Sequence, residues 1–309
     1  MKKFWFFTIF FILKSNLYAQ YTDIINSNRP GKSESPYSVG TDVFQVESGF
    51  FYGQGDSQNM FSIINPVGGN LFLRYGKFNE KLEINSQIIY QENDLQFKNI
   101  FTSSTQIGGI SAFNVGVKYL IYERKYTDKS KEIKSWKKRM AFDKNRWIPS
   151  VGVYIGVHTN FVSDDYKSDG ITPRVALLLQ NNFSDRLNLI TNIGTSNISS
   201  DYAVYTYIVT MTYAINQLVS FFAEHQGDLS KYDNDFQFGG GLAYLYSKNF
   251  QLDLAVRASL GPVKSGYVAG VGASWRLDMH QDELIKANQG GKKHKNDGFF
   301  SRLFKRKNK

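Results

Sequence analysis

Residues 28–36 read NRPGKSESP, and after a short spacer residues 42–52 read DVFQVESGFFY. The first stretch is a polar turn segment, because two prolines and a glycine oppose a helix and remove donors that a sheet ladder needs. The second stretch alternates between apolar and polar residues, which is the period-2 pattern of a strand with one apolar face. One face holds Phe44, Val46, Phe50 and Tyr52, and the other holds Gln45, Glu47 and Gly49.

The same alternation recurs along the rest of the chain, on segments of similar length separated by turn residues. Most segments are near the roughly 9–11 residues that a tilted strand needs to cross a bilayer. Short turns alternate with longer polar connections, as in an up-and-down outer-membrane barrel. The pattern therefore predicts an all-β fold, a transmembrane antiparallel up-and-down β-barrel of about 12 strands over residues 41–277. The predicted strands are 43–52, 70–76, 82–91, 110–122, 150–162, 172–181, 187–194, 203–214, 219–226, 236–246, 250–259 and 266–276.

The N-terminus has the features of an export signal. Lys2 and Lys3 precede an apolar run from Phe4 to Leu13, and Ala19 supplies a small residue before the cleavage point. Ten apolar residues are about half of the roughly 20 that a membrane-spanning helix requires. Residues 1–19 are therefore predicted to be a signal peptide, and the exported barrel is predicted to lie in the outer membrane of a Gram-negative bacterium. The absence of cysteine excludes disulfides and lipoprotein acylation.

The net charge of +10 is concentrated outside the predicted strands. Residues 123–148 carry +6 and residues 278–309 carry +5, while three lysines of the signal peptide add +3; the rest of the chain is therefore −4. Strand parity places the basic loop 123–148 and the basic tail 278–309 on the periplasmic side. This distribution argues against a nucleic-acid partner. The tail is interpreted either as a short amphipathic anchor for an anionic membrane or periplasmic partner, or as a disordered tail.

The ionisable residues on the polar faces of the strands are predicted to point into the lumen. Acids and bases are balanced, which favours paired ladders that fill a narrow lumen; the alternative is that the same side chains line a selective solute path. Asp253 and Arg257, four residues apart on one strand, are each predicted to pair with a neighbouring strand. The full set is Glu47, Arg74, Glu83, Lys118, His158, Arg174, Glu224, Asp253 and Arg257.

The segment of residues 20–40 is predicted to be a plug or gate within the lumen. Irregular backbone is tolerated inside a polar lumen but not against lipid. The alternative is a disordered periplasmic leader. The residues that give the segment its character are Arg29, Pro30, Lys32, Glu34 and Pro36.

Catalytic, metal and cofactor chemistry receives little support from the sequence. His158 lies near Asp164 and Asp165, but no nucleophile motif accompanies it, and its predicted direction is toward the lumen and away from lipid. Four scattered histidines without cysteine give no zinc spacing. The triple glycine 239–241 lies in a strand pattern and precedes no helix, so it is not a phosphate loop. The chain is predicted not to be an enzyme and to hold no cofactor.

Three stretches carry a resemblance to a known family: NRP at 28–30 with SESP at 33–36, FQVESG at 44–49, and VAGVGASWR at 268–276. They resemble the opening motif, the first strand and the closing strand of the outer-membrane "transporter" β-barrel family related to the MetA-pathway of phenol degradation proteins. The resemblance spans residues 26–277. It implies outer-membrane transport of small apolar or aromatic compounds.

Three functions follow as hypotheses. The first is a channel for passive passage of a small solute, with outer-membrane lipid around it. The second is a structural outer-membrane protein with a closed lumen, whose basic loop and tail bind a periplasmic partner or a membrane surface. The third is a lipid-modifying enzyme of the outer membrane.

Overall fold

Twelve antiparallel strands form one closed barrel in the computed structural model. The structure describes residues 24–57, 62–98, 103–124, 136, 143–167, 170–198, 203–231, 234–261 and 264–279. Every strand pairs with the next in the sequence, and the first pairs with the last. The strands are β1 Val43–Ser57, β2 Ser62–Gly76, β3 Leu82–Phe97, β4 Ser104–Tyr122, β5 Ser150–His158, β6 Thr172–Asn182, β7 Leu187–Ser196, β8 Val204–Ala214, β9 Val219–Ser230, β10 Asn234–Ser247, β11 Phe250–Leu260 and β12 Lys264–Asp278.

Closure is made by the β1–β12 ladder, which runs from Val43 opposite Asp278 to Ser57 opposite Lys264. Closing the sheet leaves no unpaired edge, which is the condition for strands to cross a bilayer. Because the number of strands is even, β1 begins and β12 ends at the same end of the barrel, which we call the terminal end. The opposite end is called the loop end.

The outer surface is apolar along the strands. Phe50 is 75% exposed, Ile155 61% and Val271 53%, although all three lie within paired strands. Exposed apolar side chains on every second position form the surface that contacts lipid. Among the described residues, no helix is long and apolar enough to cross a membrane. The predicted fold, a transmembrane up-and-down barrel, is confirmed.

The interior is mainly polar. Gln45, Glu47, Arg74, Glu83 and Lys118 are among the most completely buried side chains. The buried apolar cluster is small and consists of Tyr154, Ala176 and Leu178. A small protein that folds in water has the opposite arrangement, with apolar residues inside.

Several strands extend further toward the loop end than predicted. β1 continues to Ser57, β2 begins at Ser62, β3 continues to Phe97 and β4 begins at Ser104. The long connections predicted between β1 and β2 and between β3 and β4 are therefore wrong. Glycines and polar residues suggested loops there, but the ladder continues through them, as in the pairing of Gly55 with Gly266.

β5 is shorter than predicted and ends at His158. The chain then turns into a 3-10 helix, Asp164–Tyr166, which packs beside β4 because the Ser163 Oγ accepts from the Ile110 amide at 2.9 Å. A second 3-10 helix, Lys144–Trp147, precedes β5. The predicted signal peptide, most of the basic loop and the tail beyond residue 279 lie outside the described residues.

The depth of a lipid-facing position is expected to determine the cost of a charge there. Val271 lies mid-strand on β12 and faces outward, so Val271→Arg should lower the free energy of unfolding by about 2–4 kcal/mol. Ser265→Arg, on the same face near the loop end, should cost only about 0–1 kcal/mol. Urea unfolding of the refolded protein in liposomes measures both. Equal losses for the two variants would contradict this placement of the lipid-facing band.

Candidate functional site: the barrel lumen

An irregular segment, residues 24–40, lies inside the barrel; we call it the hook. The hook starts at the terminal end, where the Ile25 amide donates to the Lys248 carbonyl at 2.8 Å. It rises to an apex at residues 30–32 and returns to Gly40, just before β1. Along this course its residues hydrogen bond to side chains or turns belonging to β1–β3, β5–β7 and β9–β12.

Arg29 makes the most specific contact of the hook. Its Nε and Nη2 donate to the two carboxylate oxygens of Asp253 on β11, at 3.0 and 2.9 Å. Its Nη1 donates to the Asn70 Oδ1 on β2 at 2.9 Å. A two-pronged arginine–carboxylate pair of this kind combines strong charge-assisted bonds with a fixed orientation.

Two glycines make room for this guanidinium. Gly49 on β1 and Gly272 on β12 stand directly opposite each other in the ladder. A Cβ atom added at either glycine would collide with the Arg29 guanidinium. The arginine therefore lies flat against bare backbone, which a side chain at either position would prevent.

The apex is held by a shared carboxylate. Glu224 on β9 accepts from the Lys32 amide at 2.8 Å and from the Thr210 hydroxyl at 2.8 Å. Arg257 on β11 donates to the other oxygen of Glu224 at 3.3 Å and to the Pro30 carbonyl at 2.7 Å. The apex is thus fixed through its own backbone groups, which a loop without a ladder must satisfy in some other way.

The returning arm is held in the same way by polar side chains of the wall. The Asn192 amide on β7 both accepts from the Glu34 amide nitrogen at 2.7 Å and donates to the Glu34 carbonyl at 2.8 Å. The Asn192 side chain thus makes the two hydrogen bonds to Glu34 that the backbone of a neighbouring strand would otherwise make. Pro36 is fully buried and lies against Gly152, where a Cβ would be 2.9 Å away. Further along the arm, the Tyr37 hydroxyl lies 2.7 Å from the Ser150 Oγ.

A charge ladder crosses the first four strands. Arg74 on β2 pairs with Glu47 on β1 at 3.0 Å and with Glu83 on β3 at 2.9 Å, and Lys118 on β4 pairs with Glu83 at 3.1 Å. All four side chains are completely buried and their charges cancel. The hook contributes to the ladder, because the Asn26 carbonyl accepts from Arg74 at 2.6 Å.

The remaining predicted lumen residues lie closer to the loop end. The Nδ1 of His158 hydrogen bonds with the Asn114 Oδ1 across the β4–β5 pair. Arg174 lies over the Tyr154 ring, 5.2 Å from its centroid. Neither touches the charge ladder. In the described ranges, no group of three or more histidines, cysteines or acids is placed to hold a metal ion.

The pairing of Asp253 and Arg257 differs from the sequence prediction. The prediction that they do not pair with each other is correct. The prediction that each pairs with a neighbouring strand is wrong. Asp253 pairs with Arg29 of the hook, and Arg257 reaches Glu224 on β9 across the intervening β10. The reason is Gly239 on β10, where a Cβ would lie 2.9 Å from the Arg257 Cγ. The bare backbone there lets the arginine pass over it.

Several contact residues escaped the sequence analysis. Asn70, Asn192 and Gln180, which accepts from the Ser35 hydroxyl at 2.8 Å, lie at inward positions of the alternation. Their inward position was the available signal, but the sequence prediction was limited to ionisable residues. Gly49 and Gly272 gave a second signal, because glycine in a strand often marks a close approach of another group.

The close approach of Gly49 to Arg29 leads to a prediction about the Arg29–Asp253 pair, which we call the latch. Gly49→Ala should displace the guanidinium from Asp253 and speed tryptic cleavage at Lys32 about tenfold, since a hydrogen bond to a charged group contributes about 1.5–3 kcal/mol. Gly55→Ala is the matched control, because it lies inward on the same strand and its Cβ would meet nothing closer than 3.4 Å. Equal cleavage of the two variants would contradict this role for Gly49.

The charge ladder should dominate the electrostatic stability of the terminal end. Lys118→Met removes one member of a buried network and should cost about 3 kcal/mol of unfolding free energy. Lys77→Met breaks the pair of Lys77 with Asp42, in which the lysine side chain is 41% exposed and the aspartate side chain 33%. This change should lower the free energy of unfolding by only about 0–1 kcal/mol. Urea unfolding compares them, and a Lys118→Met variant as stable as Lys77→Met would contradict the ladder's importance.

A family model and known structures both match this chain. The model of the family described as MetA-pathway of phenol degradation matches residues 27–277. No curated protein matches the sequence. The family match agrees with the resemblance of the opening and closing motifs. Together with the closed barrel, it confirms the predicted location in the outer membrane of a Gram-negative bacterium.

Solved structures share the architecture at low identity. The crystal structure of an outer membrane channel from Pseudomonas putida F1 has a TM-score of 0.55 and 9% identity, covering 81% of this chain and 100% of that one. The β domain of the Bordetella autotransporter BrkA has a TM-score of 0.48 and 9% identity, over 76% and 100% of the chains. The CymD monoaromatic hydrocarbon channel has a TM-score of 0.42 and 9% identity, over 78% and 90%. The likeness to the Pseudomonas putida channel shows the fold.

Proposed function

Because this chain belongs to the MetA-pathway of phenol degradation family, we propose that it is a passive outer-membrane channel for small solutes, gated by the hook. The observation that carries the proposal is the way the hook is held. An irregular segment occupies the lumen through separate side-chain contacts and lacks the continuous ladder of a thirteenth strand. Contacts of this kind can be exchanged for water one at a time.

The energetics favour a gate that opens and closes reversibly. Each neutral hydrogen bond contributes about 0.5–1.5 kcal/mol net, because water replaces the lost partner. Bonds to charged groups contribute more, about 1.5–3 kcal/mol each, and the hook makes several, such as the Lys32 amide to Glu224 and the Pro30 carbonyl to Arg257. The Arg29–Asp253 contact is a two-pronged ion pair between the hook and the wall. Release of Arg29 is therefore the main barrier to withdrawal of the whole hook.

The solute is proposed to be about the size of one ring. A cavity of about 170 Å³ on the loop-end side of the hook is lined on one wall by Ile64, Pro66 and Val268 and on the other by Gln237 and Arg257. Apolar cavities of about 150 Å³ accept benzene. A small apolar or aromatic compound, as the family resemblance implies, fits this space, and the adjacent polar groups would accept a polar substituent.

Planar-bilayer conductance of the refolded protein tests the gate. Deleting residues 21–38 should raise the single-channel conductance severalfold, since it empties the lumen of the hook. Arg29→Gln keeps the hook but removes the pair with Asp253, so it should show intermediate, flickering openings. Unchanged conductance in the deletion variant would refute the gate.

A second candidate is a structural barrel with a permanently closed lumen. The complete burial of Glu47, Arg74, Glu83 and Lys118 favours it, because these side chains already fill the terminal end. The basic loop and tail would then bind a periplasmic partner or an anionic membrane surface. Liposome swelling separates the candidates, because only a channel admits solute.

We propose a non-enzymatic role for His158. Its Nδ1 is engaged by Asn114 within the lumen. A positioned base would instead need a nucleophile within hydrogen-bond reach and access to a lipid substrate. His158→Ala should leave the lipid composition of the outer membrane unchanged.

A further inference from the structure

Residues 31–35 of the hook form a thin partition across the lumen, which we call the ledge. On its terminal-end side lies a cavity of about 180 Å³, and on its loop-end side lies one of about 30 Å³. The smaller cavity offers about the volume of a single water in the liquid. The two spaces are separated by one thickness of extended chain.

The side chains of the ledge alternate between the two cavities. Gly31, Ser33 and Ser35 line the larger cavity, whereas Lys32 and Glu34 line the smaller one. This alternation is the geometry of extended backbone, in which successive side chains point to opposite sides. The small residues therefore face the terminal end, and the charged residues face the loop end.

The same strand of the barrel wall borders both cavities. Thr210 and Thr212 of β8 line the larger cavity, and Thr206 and Ile208 line the smaller one. These are successive inward positions of a single strand, so the two spaces lie one above the other along this wall. Ser33 crosses in front of the strand and is 2% exposed, while Thr210 is 3% and Ile208 7% exposed. The seal between the cavities is therefore local and tight.

The ledge is pinned on both sides of this seal. Asn192 on β7 holds the amide and carbonyl of Glu34. Glu224 on β9 accepts from the Lys32 amide. Only Ser33 lies between the two pins. The Lys32 Nζ also donates to Gln237 at 3.0 Å and the Ser35 Oγ to Gln180 at 2.8 Å, so these contacts hold the two flanks of the ledge. Release of either pin would let Ser33 move away from β8 without withdrawal of Arg29 from Asp253.

We propose that solutes cross the lumen along the β7–β9 wall, that the ledge is the constriction on this path, and that Lys32, Glu34 and Arg174 select the solute. The inference rests on the proposed channel function and specifies where the channel conducts. Two cationic groups and one carboxylate line the smaller cavity, so the constriction favours a small anion, such as a carboxylate, over a cation of equal size.

Weakening one pin tests the path. Asn192→Ala should raise the open probability in planar bilayers about tenfold, because two hydrogen bonds to Glu34 are lost. The matched control is Asn114→Ala, which removes a similarly buried inward amide on β4, away from the ledge; Asn114 bonds to Gln87 and His158. Adding Ile208→Trp to Asn192→Ala should block the new conductance, whereas Met211→Trp, on the outward face of β8, should not.

Folding and function are checked separately in this design. Heat-modifiable migration in gels confirms that each variant is a folded barrel. If deletion of residues 21–38 conducts but Asn192→Ala does not, the path along β7–β9 is refuted while the channel stands. If neither conducts, the channel function itself fails. An Asn114→Ala variant that opens as much as Asn192→Ala would also refute the path.

The absence of cysteine permits a second measurement. Thr206→Cys should react with a membrane-impermeant thiol reagent added from the loop end only, and Thr212→Cys from the terminal end only. In the Asn192→Ala background both should react from either side.

Reversal potentials test the selection of solutes by charge. Lys32→Gln should lower the chloride-to-potassium permeability ratio about twofold, while Lys77→Gln, outside the lumen, should leave the ratio unchanged. An unchanged ratio in Lys32→Gln would overturn the assigned selectivity.

Discussion

Polar groups inside a narrow barrel must find partners without the help of bulk water, and this constraint shapes the whole lumen. Closing twelve strands points every second side chain inward, and outward positions must be apolar to face lipid. The interior therefore receives the polar residues, whose burial without partners costs more than most single interactions contribute. The charge ladder on β1–β4 satisfies one side of the lumen from within the wall. The other side has its own wall-to-wall bonds, such as Arg257 to Glu224, and the hook supplies further partners to both sides.

The hook and the wall satisfy each other asymmetrically. The wall offers mostly side chains, such as Asn192 and Glu224, and the hook offers mostly its backbone amides and carbonyls. A segment rich in proline, glycine and serine suits this role, because it presents few bulky side chains and many unpaired backbone groups. Some side chains of the hook also bond to the wall, among them those of Lys32, Ser35 and Tyr37. Arg29 differs from these because it forms an ion pair with Asp253 and needs the bare backbone of two opposed glycines. The most specific contact is thus concentrated at one residue, while the rest of the hook is held by separate hydrogen bonds.

The sequence predicted the strands and the direction of each side chain, because period-2 alternation is a local property that survives in any closed sheet. It did not predict partners across the lumen. Asp253 meets Arg29 and Arg257 meets Glu224 only because of the stagger of the barrel and the course of the hook, and neither is encoded locally. The extensions of β1 and β2 beyond the membrane band were missed for a related reason. Glycine and polar residues weaken strand propensity, but the neighbouring strands of a closed ladder impose pairing on them.

The position of the ledge explains why the lumen can be both filled and conductive. A plug that bonded uniformly to all twelve strands would have to be withdrawn as a whole, at the combined cost of every contact. Here the strong contacts, Arg29 with Asp253 and the buried ladder, lie on the β1–β4 and β11 side. The segment facing β8 is held by Glu224 at Lys32 and by Asn192 at Glu34, and it places the small side chain of Ser33 between them. A barrier of a few replaceable hydrogen bonds on one wall, beside a firmly bound latch on the other, lets a narrow passage open while the hook stays inside the barrel.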